Sequence, residues 1–245
     1  MKFVAKPLCF MKIALIGYGT MGKLIERLAL EKGHEIAAII DESDAERTAA
    51  EIAGKLHGCD VAIDFTTAEA VRRNVEACVL AVVPLVEGTT GWNASRTEIE
   101  QIVLDGNGSM VYGANFSIGV NLFYRIAEFA AELFARFPEY QAFIEEQHHS
   151  RKKDAPSGTA LKLRDLLSHY VNAGDIASTR AGSIPGTHRV GFDGPADQVL
   201  LEHIARSREG FALGAVMAAE WVVGKKGFFE FSEVMDEIVG KKTAN

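Results

Sequence analysis

Fourteen residues in the middle of the chain, QHHSRKKDAPSGTA (147–160), concentrate side chains suited to proton transfer and anion binding. His148 and His149 carry imidazoles whose ordinary pKa lies near neutral pH, so either could donate or take up a proton. Lys152 follows three residues after His149. Its cation would lower the pKa of a nearby imidazole, and it could donate a proton or stabilise developing negative charge. The spacing indicates an acid–base site for an anionic substrate.

A predicted helix, residues 159–171, follows this loop directly. Its apolar residues Leu163, Leu166, Leu167 and Tyr170 fit one helical face, and Ser157, Gly158 and Thr159 stand at its start. The first backbone N–H groups of a helix, together with its dipole, bind carboxylate or phosphate. A Ser/Thr cap or a basic run is more often structural when each is taken alone. Their combination favours a small dianionic substrate.

A glycine turn near the amino terminus predicts a dinucleotide site. The apolar strand 12–16 leads into GYGTMG (17–22), a helical pattern and a second strand, 35–40, which ends at Asp41. Glycines at these positions allow a tight turn and a close approach to the pyrophosphate, and an acid about 20 residues later binds the ribose hydroxyls. The expected cofactor-binding residues are Gly17, Tyr18, Gly19, Thr20, Met21, Gly22 and Asp41.

The elements that follow the glycine turn predict an α/β fold, a Rossmann-like doubly wound parallel sheet. Strands at 61–65, 82–88 and 109–113 alternate with helices at 67–79 and 93–104. Such alternation is typical of parallel sheets, in which ligands collect at the carboxyl ends of the strands. The small polar loops GTTG (88–91) and ANFS (114–117) are therefore expected at the same sheet edge as the glycine turn.

After residue 117 the pattern changes to that of an inserted α+β domain. A long helix (118–137) and a strand-like segment (140–149) precede the helix at 159–171, and a Gly/Pro-rich stretch (181–195) precedes an apolar segment (198–207). The predicted domains are 1–116 for the dinucleotide, 117–209 for substrate binding and oligomerisation, and 210–245 as a return to the first domain.

Composition excludes several classes of function. The net charge of −7 gives no electrostatic support for nucleic-acid binding. The longest apolar run, 77–86, has ten residues and a proline, too short for a bilayer. Three cysteines (Cys9, Cys59, Cys78) without metal-ligand spacing predict reduced thiols, no metal site and a cytoplasmic protein. No signal peptide is recognised, and residues 1–10 are interpreted as a dispensable extension before Met11.

The segment EEQHHSRKKDAPSGTALKL resembles the signature of the dihydrodipicolinate (4-hydroxy-tetrahydrodipicolinate) reductase family. Blocks at 64–67, 88–92, 114–121 and 210–221 are also similar to family blocks and occur in family order, so the resemblance covers nearly the whole chain after Met11. The family pattern begins E-x-H-H. Either one extra residue separates the acidic pair from the histidines here, or Glu146 takes the acidic position.

The resemblance implies an NAD(P)H-dependent reductase of the diaminopimelate and lysine pathway, which converts 4-hydroxy-tetrahydrodipicolinate, a cyclic dicarboxylate, to tetrahydrodipicolinate. It implies that His148 is the proton donor and acceptor, that Lys152 is a second proton donor, and that His149 contacts the substrate. Gly158 and Thr159 would hold a substrate carboxylate. It also implies a homotetramer joined through the sheet of the inserted domain. The residues implied to line the nicotinamide side are Gly88, Thr89, Thr90, Ala114, Asn115 and Phe116.

The acidic end of the second strand predicts that NADH is used at least as well as NADPH, although both are expected to be accepted. Asp41 and Glu42 would face the 2′-phosphate of NADPH, and the turn lacks the basic residue that many family members have before Met21. Lys23 or Arg47 could soften this repulsion.

Two other functions are compatible with a glycine turn. A different Rossmann oxidoreductase, such as an amino-acid or imine dehydrogenase, would not require the His-His-x-x-Lys cluster. A regulator that senses NADH without turnover would need an effector surface or a basic recognition helix, and the sequence has no recognisable one.

Overall fold

The computed structural model describes residues 10–240. The described residues form two compact units: one contains residues 10–117 and 211–240, and the other is Ile118–Gly210. Within the described range, none of the helices is long and apolar enough to cross a membrane.

The helices and strands follow one another in this order: β1 Lys12–Ile16, α1 Thr20–Glu31, β2 Glu35–Ile40, α2 Ala49–Leu56, β3 Val61–Asp64, α3 Ala68–Ala81, β4 Leu85–Glu87, α4 Arg96–Asp105, β5 Ser109–Tyr112, α5 Ile118–Phe134, β6 Gln141–His148, α6 Gly158–Ser168, β7 Ile176–Arg180, β8 Thr187–Asp193, β9 Gln198–Ile204, α7 Glu209–Val222, β10 Gly227–Glu230 and α8 Phe231–Val239.

The first unit is built on a six-stranded sheet in the order β10-β5-β4-β3-β1-β2. All five pairings are parallel. The four residues of β3 are buried, as expected for a central strand covered on both faces. The predicted Rossmann-like fold is confirmed, and β10 adds a sixth strand from the carboxyl-terminal segment. Because parallel strands share one carboxyl edge, the loops after β1, β3, β4 and β5 lie along that edge.

The second unit contains a mixed four-stranded sheet in the order β7-β6-β8-β9. Helices α5 and α6 cover one face, where Phe123 and Leu163 pack against Ile144 and Phe192. Residues on a strand alternate between faces, so Glu146 and His148 of β6 lie on the same helix-covered face as Ile144.

Five helices and strands of the structure have no counterpart in the sequence-based prediction: α2, β7, β8, β10 and α8. Strand β8 lies inside the Gly/Pro-rich stretch at 181–195, to which the sequence analysis assigns neither strand nor helix. Helix α5 ends at Phe134, three residues earlier than predicted.

Candidate active site

The glycine turn between β1 and α1 has the geometry of a phosphate cradle. Gly17 has φ +88°, and a Cβ there would lie 2.4 Å from the carbonyl oxygen of Phe65. A Cβ on Gly22 would lie 2.2 Å from the carbonyl oxygen of Gly17, so helix and turn pack closer than a side chain allows. Gly19 is the N-cap of α1, makes no side-chain capping bond and has open space around it. An uncapped helix start with open space suits a pyrophosphate.

The other residues of the turn lie beside this helix start. Thr20 and Met21 are the first two residues of α1. The Tyr18 hydroxyl donates a hydrogen bond to the Glu26 carboxylate, and Lys23 Nζ lies 5.7 Å from the centre of the Tyr18 ring. The Tyr18 side chain is thereby tied to the second turn of α1.

Asp41 follows β2 directly. Its Oδ1 accepts hydrogen bonds from the backbone N–H and the hydroxyl of Ser43, at 2.9 and 2.7 Å, which lower the pKa of this exposed carboxyl. Asp41 is therefore an ionised acceptor at neutral pH. Arg47 Nε lies 2.5 Å from Oδ1 of the buried Asp44, and Lys55 Nζ lies 2.5 Å from the same oxygen. Both cations are therefore paired with Asp44.

Two buried carboxyl groups support the loops after β3 and β4. Asp64 accepts hydrogen bonds from the Thr66 hydroxyl and from Asn74 Nδ2, both at 2.7 Å. Glu87 Oε1 accepts the backbone N–H of Thr89 at 2.7 Å. Burial raises the pKa of Asp64, and burial together with the neighbouring Asp64 raises the pKa of Glu87 well above its usual range. The raised pKa of Glu87 favours the protonated form of this carboxyl.

This pair supports the loop after β4, which is one of the two loops that the sequence assigns to the nicotinamide. The Thr89 hydroxyl accepts the N–H of Thr66 at 3.0 Å, and the Thr89 carbonyl accepts the Trp92 indole N–H at 2.8 Å. Thr89 is buried while Thr90 is exposed. A Cβ on Gly88 would lie 2.2 Å from the Phe65 ring, so a larger residue would disturb the loop.

The loop after β5 carries the remaining residues expected on the nicotinamide side. Ala114 is exposed, and Asn115 Oδ1 accepts the Ser117 N–H at 2.9 Å. The Phe116 ring is 2% exposed and lies 4.6 Å from the Phe231 ring, centre to centre. The Phe116 side chain therefore anchors the loop in the core.

In the second unit, the register of three strands gathers charged and polar side chains at the carboxyl end of β6. Glu146 lies opposite Ser178 of β7 and His188 of β8, and His148 lies opposite Arg180 of β7. Glu146 Oε1 accepts hydrogen bonds from Ser178 Oγ at 2.8 Å and from Arg180 Nη2 at 2.6 Å. The His148 and His188 rings meet edge to face, 5.1 Å between centres.

The charge states of this cluster follow from burial and hydrogen bonding. Burial of the Glu146 carboxyl favours its neutral form, but hydrogen bonds from Ser157, Arg180 and Ser178 outweigh it and lower the Glu146 pKa to about 2. Burial, assisted by the charge of His148, lowers the pKa of His188 to about 4. Burial also lowers the pKa of His148, while Glu146 opposes that shift. At neutral pH the cluster thus contains a carboxylate beside a neutral His188.

His149 and Lys152 lie in the turn that follows β6. The Lys152 N–H bonds the His149 carbonyl at 3.1 Å, so the two residues are held within one turn. Lys152 Nζ lies 2.8 Å from Asp154 Oδ1, with 26% of the lysine side chain and 55% of the aspartate side chain exposed. This pair is partly solvated and therefore weak.

The start of α6 is fixed by its N-cap, Ser157. The Ser157 hydroxyl accepts the Ala160 N–H at 3.3 Å and lies 3.1 Å from His188 Nε2, while the Ser157 N–H bonds Glu146 Oε1 at 3.0 Å. Gly158 has open space where a Cβ would be. The Thr159 hydroxyl bonds the Tyr124 hydroxyl, whose pKa burial raises to about 12. The helix start is thus rigid and tied to the histidine cluster.

Glu146, His148 and His188 offer ligand atoms within 4.8 Å of one another, a spacing at which a cation could be held. However, Arg180 already occupies Glu146 Oε1 at 2.6 Å. The positive charges of Arg180 and Lys152 also act on His148 and lower its pKa. A dication would meet this positive charge, and we therefore interpret the cluster as proton-handling machinery.

Sequence reasoning left His188 and the Asp64–Glu87 pair unassigned. The pair had a signal, since each acid ends or nearly ends one of two consecutive strands. His188 had no such signal in the sequence, because only the antiparallel register of β6 and β8 places it opposite Glu146.

Family models and relatives agree on one assignment. Residues 11–116 match the model described as dihydrodipicolinate reductase, N-terminus, and residues 119–235 match dihydrodipicolinate reductase, C-terminus. A 4-hydroxy-tetrahydrodipicolinate reductase from Christiangramia forsetii is 34% identical over 93% of this chain and 99% of its own length. The enzyme of that name from Methanosarcina barkeri is 37% identical over 91% of this chain and 98% of its own.

Among solved structures, the chain is similar to a dipicolinate-bound dihydrodipicolinate reductase from Paenisporosarcina sp. TG-14. The TM-score is 0.74 with 22% identity, over 92% of this chain and 100% of that one. At this identity the likeness establishes a shared fold.

Proposed function

Since this chain belongs to the dihydrodipicolinate reductase family, we propose that it reduces 4-hydroxy-tetrahydrodipicolinate to tetrahydrodipicolinate in diaminopimelate and lysine biosynthesis. In the overall reaction one NAD(P)H and one proton are consumed, and NAD(P)⁺ and water are released. The observation that carries the proposal is the acid–base cluster of His148, His149 and Lys152 beside the start of α6, in a chain that also has a glycine turn at α1.

The residues of the first unit fit a reduced nicotinamide dinucleotide. When bound, this cofactor supplies the hydride. The turn formed by residues 17–22 holds the pyrophosphate at the uncapped start of α1, and Asp41 accepts hydrogen bonds from the ribose hydroxyls. The loops at 88–90 and 114–116 hold the nicotinamide side. Hydrogen bonds of the buried Asp64 and Glu87 support the first loop, and the buried Phe116 ring anchors the second.

The residues of the second unit bind the substrate and supply protons. The helix dipole and first backbone N–H groups of α6, at Gly158 and Thr159, hold one carboxylate. His149 contacts the substrate. His148 donates a proton, and Lys152 acts as a second donor and counters the negative charge of the dianion. The partly solvated pairing of Lys152 with Asp154 leaves this ammonium easy to redirect.

We also propose that NADH is used at least as well as NADPH. Ionised Asp41 would face the 2′-position, and the nearby cation of Arg47 is paired with Asp44. A 2′-phosphate would therefore meet the like charge of Asp41. The ratio of kcat/KM values for NADH and NADPH at matched ionic strength should favour NADH, by about tenfold after screening. A clear preference for NADPH would remove this role of Asp41.

The uncovered face of the second sheet supports the proposal of a homotetramer. Leu200 and Ile204 of β9 lie on the face opposite α5 and α6 and are 48% and 43% exposed. Apolar residues on an open sheet face are typical of a subunit interface. Light scattering should give four chains per particle. We expect the enzyme to act in the cytoplasm, consistent with the free thiols of Cys59 and Cys78.

The decisive assay adds the product of the preceding synthase to enzyme and NADH. Loss of NADH absorbance that depends on that compound is expected. An amino-acid or imine dehydrogenase would oxidise NADH with other substrates, and a regulator would bind NADH without consuming it. Either result would contradict the proposed function.

A further inference from the structure

Glu146 is the most deeply buried charged group of the second unit, and its two oxygens face different partners. Its side chain is 0% exposed. Oε1 accepts three hydrogen bonds, from the Ser157 N–H, Ser178 Oγ and Arg180 Nη2. With these bonds made, the position of the carboxylate is fixed.

Oε2 is aimed at two imidazoles. It lies 3.4 Å from His148 Nδ1 and 3.6 Å from His188 Nε2. Within the described part of the chain, neither Oε2 nor His148 Nδ1 has a hydrogen-bond partner. His188 Nε2 already lies 3.1 Å from the Ser157 hydroxyl, so His148 is the imidazole that still lacks a contact on this side.

We propose that Glu146 is a positioning residue for the proposed reaction: its Oε2 faces the Nδ1–H of His148 and so presents the other ring nitrogen, Nε2, for proton transfer. A carboxylate behind an imidazole fixes both the ring orientation and the tautomer. Protonated His148 carries a proton on each nitrogen. After it gives up the Nε2 proton, the neutral ring keeps its proton on Nδ1, facing Glu146.

The same carboxylate also fixes the proposed substrate-binding helix. Through the Ser157 N–H it holds the N-cap of α6. Glu146 thus sets the position of the proton donor and of the helix start that binds a substrate carboxylate. Because this inference rests on the proposed function, its test needs one readout that does not depend on turnover.

Burial lowers the pKa of His148, and four neighbouring charged groups also act on it. Glu146 on β6 and Asp154 in the following loop raise the pKa, and Lys152 in that loop and Arg180 on β7 lower it. From β8, His188 contributes no charge at neutral pH. Replacement of Glu146 by a neutral residue removes the main raising contribution, so the pKa of His148 falls further. The pH above which His148 is no longer protonated then moves down.

Two substitutions test the charge of Glu146 in the full-length enzyme, with Glu145 as the control. Glu146→Gln should lower kcat about 10- to 100-fold at neutral pH, as expected for loss of a group that orients a reactive side chain. It should also move the alkaline limb of the kcat profile to lower pH. Glu146→Asp keeps the charge and should keep that limb near its parental position. Glu145→Gln changes the opposite face of the same strand, where Glu145 lies 3.6 Å from Arg189, and should alter neither.

A uniform loss of kcat without movement of the limb would show a structural role only and would overturn the proposal. So would parental activity of the Glu146→Gln enzyme. If that variant does not fold, ¹⁵N NMR of the histidines in the parental protein still decides, with assignment of His148 by comparison with His148→Gln. The neutral Nδ1–H tautomer of His148 is expected, and the Nε2–H tautomer would refute the assignment. This readout needs no substrate, so it separates failure of the inference from failure of the proposed function.

Discussion

Replacement of Lys152 by alanine should abolish most of the turnover while the nucleotide still binds. A lost proton donor costs about 10²–10⁴-fold in rate, or roughly 3–5 kcal/mol of transition-state stabilisation. The variant also loses the ion pair with Asp154, but that pair is half exposed on the aspartate side. Such a pair contributes only about 0.2–1 kcal/mol. The ion pair is therefore too weak to account for the expected loss.

Two matched variants separate these effects. Lys153→Ala removes the neighbouring exposed cation, and Asp154→Asn removes the partner but keeps Lys152. Both should retain kcat within a few-fold of the parent. Steady-state kinetics with the synthase product, together with NADH binding followed by fluorescence, measure the two quantities. Near-parental kcat for Lys152→Ala, or an equal loss for Lys153→Ala, would refute the assigned role.

Three further predictions concern single positions. Gly22→Ala places a Cβ 2.2 Å from a backbone carbonyl oxygen. It should cost about 1–3 kcal/mol in unfolding experiments and weaken NADH binding, whereas Gly19→Ala, with open space around its Cβ, should lower the melting temperature less. Glu87→Gln removes a carboxyl whose pKa is raised in the folded state. Once the pH rises above the ordinary pKa of glutamate, such a group destabilises the fold because it loses its proton more readily in the unfolded chain. The melting temperature of this variant relative to the parent should therefore rise between pH 5 and pH 8, by about 2–4 °C per kcal/mol gained, and a constant difference would show that the pKa of Glu87 is not raised in the folded protein. His149→Gln should raise KM for the substrate more than it lowers kcat, and the reverse pattern in steady-state kinetics would remove its binding role.

The sequence was most informative where local pattern and global fold agree. The βαβ unit from β1 to β2 combines short apolar strands, a glycine turn and an acid, and it was predicted with its strand boundaries. Helix α2 was missed although it carries a sequence signal, since Thr48 and Glu51 form a capping box. Strand β8 was missed because glycines and prolines, which are typical of turns, surround its seven residues. These residues form a strand because they pair with β6 and β9.

The candidate site was likewise predictable only where its residues are close in sequence. His148, His149 and Lys152 are close in sequence, so their proximity follows from the chain itself. His188 is 42 residues away from Glu146, and only the sheet register brings them together. The separate partners of the two Glu146 oxygens depend on side-chain positions, which a single sequence does not specify.

The proposed reaction transfers hydride from a nicotinamide to 4-hydroxy-tetrahydrodipicolinate. The most direct test supplies NADH deuterated at the transferable position and follows the product by mass spectrometry. One deuterium should appear in each molecule of tetrahydrodipicolinate, with one NADH consumed per product formed. NADH binding without deuterium in the product would contradict the account.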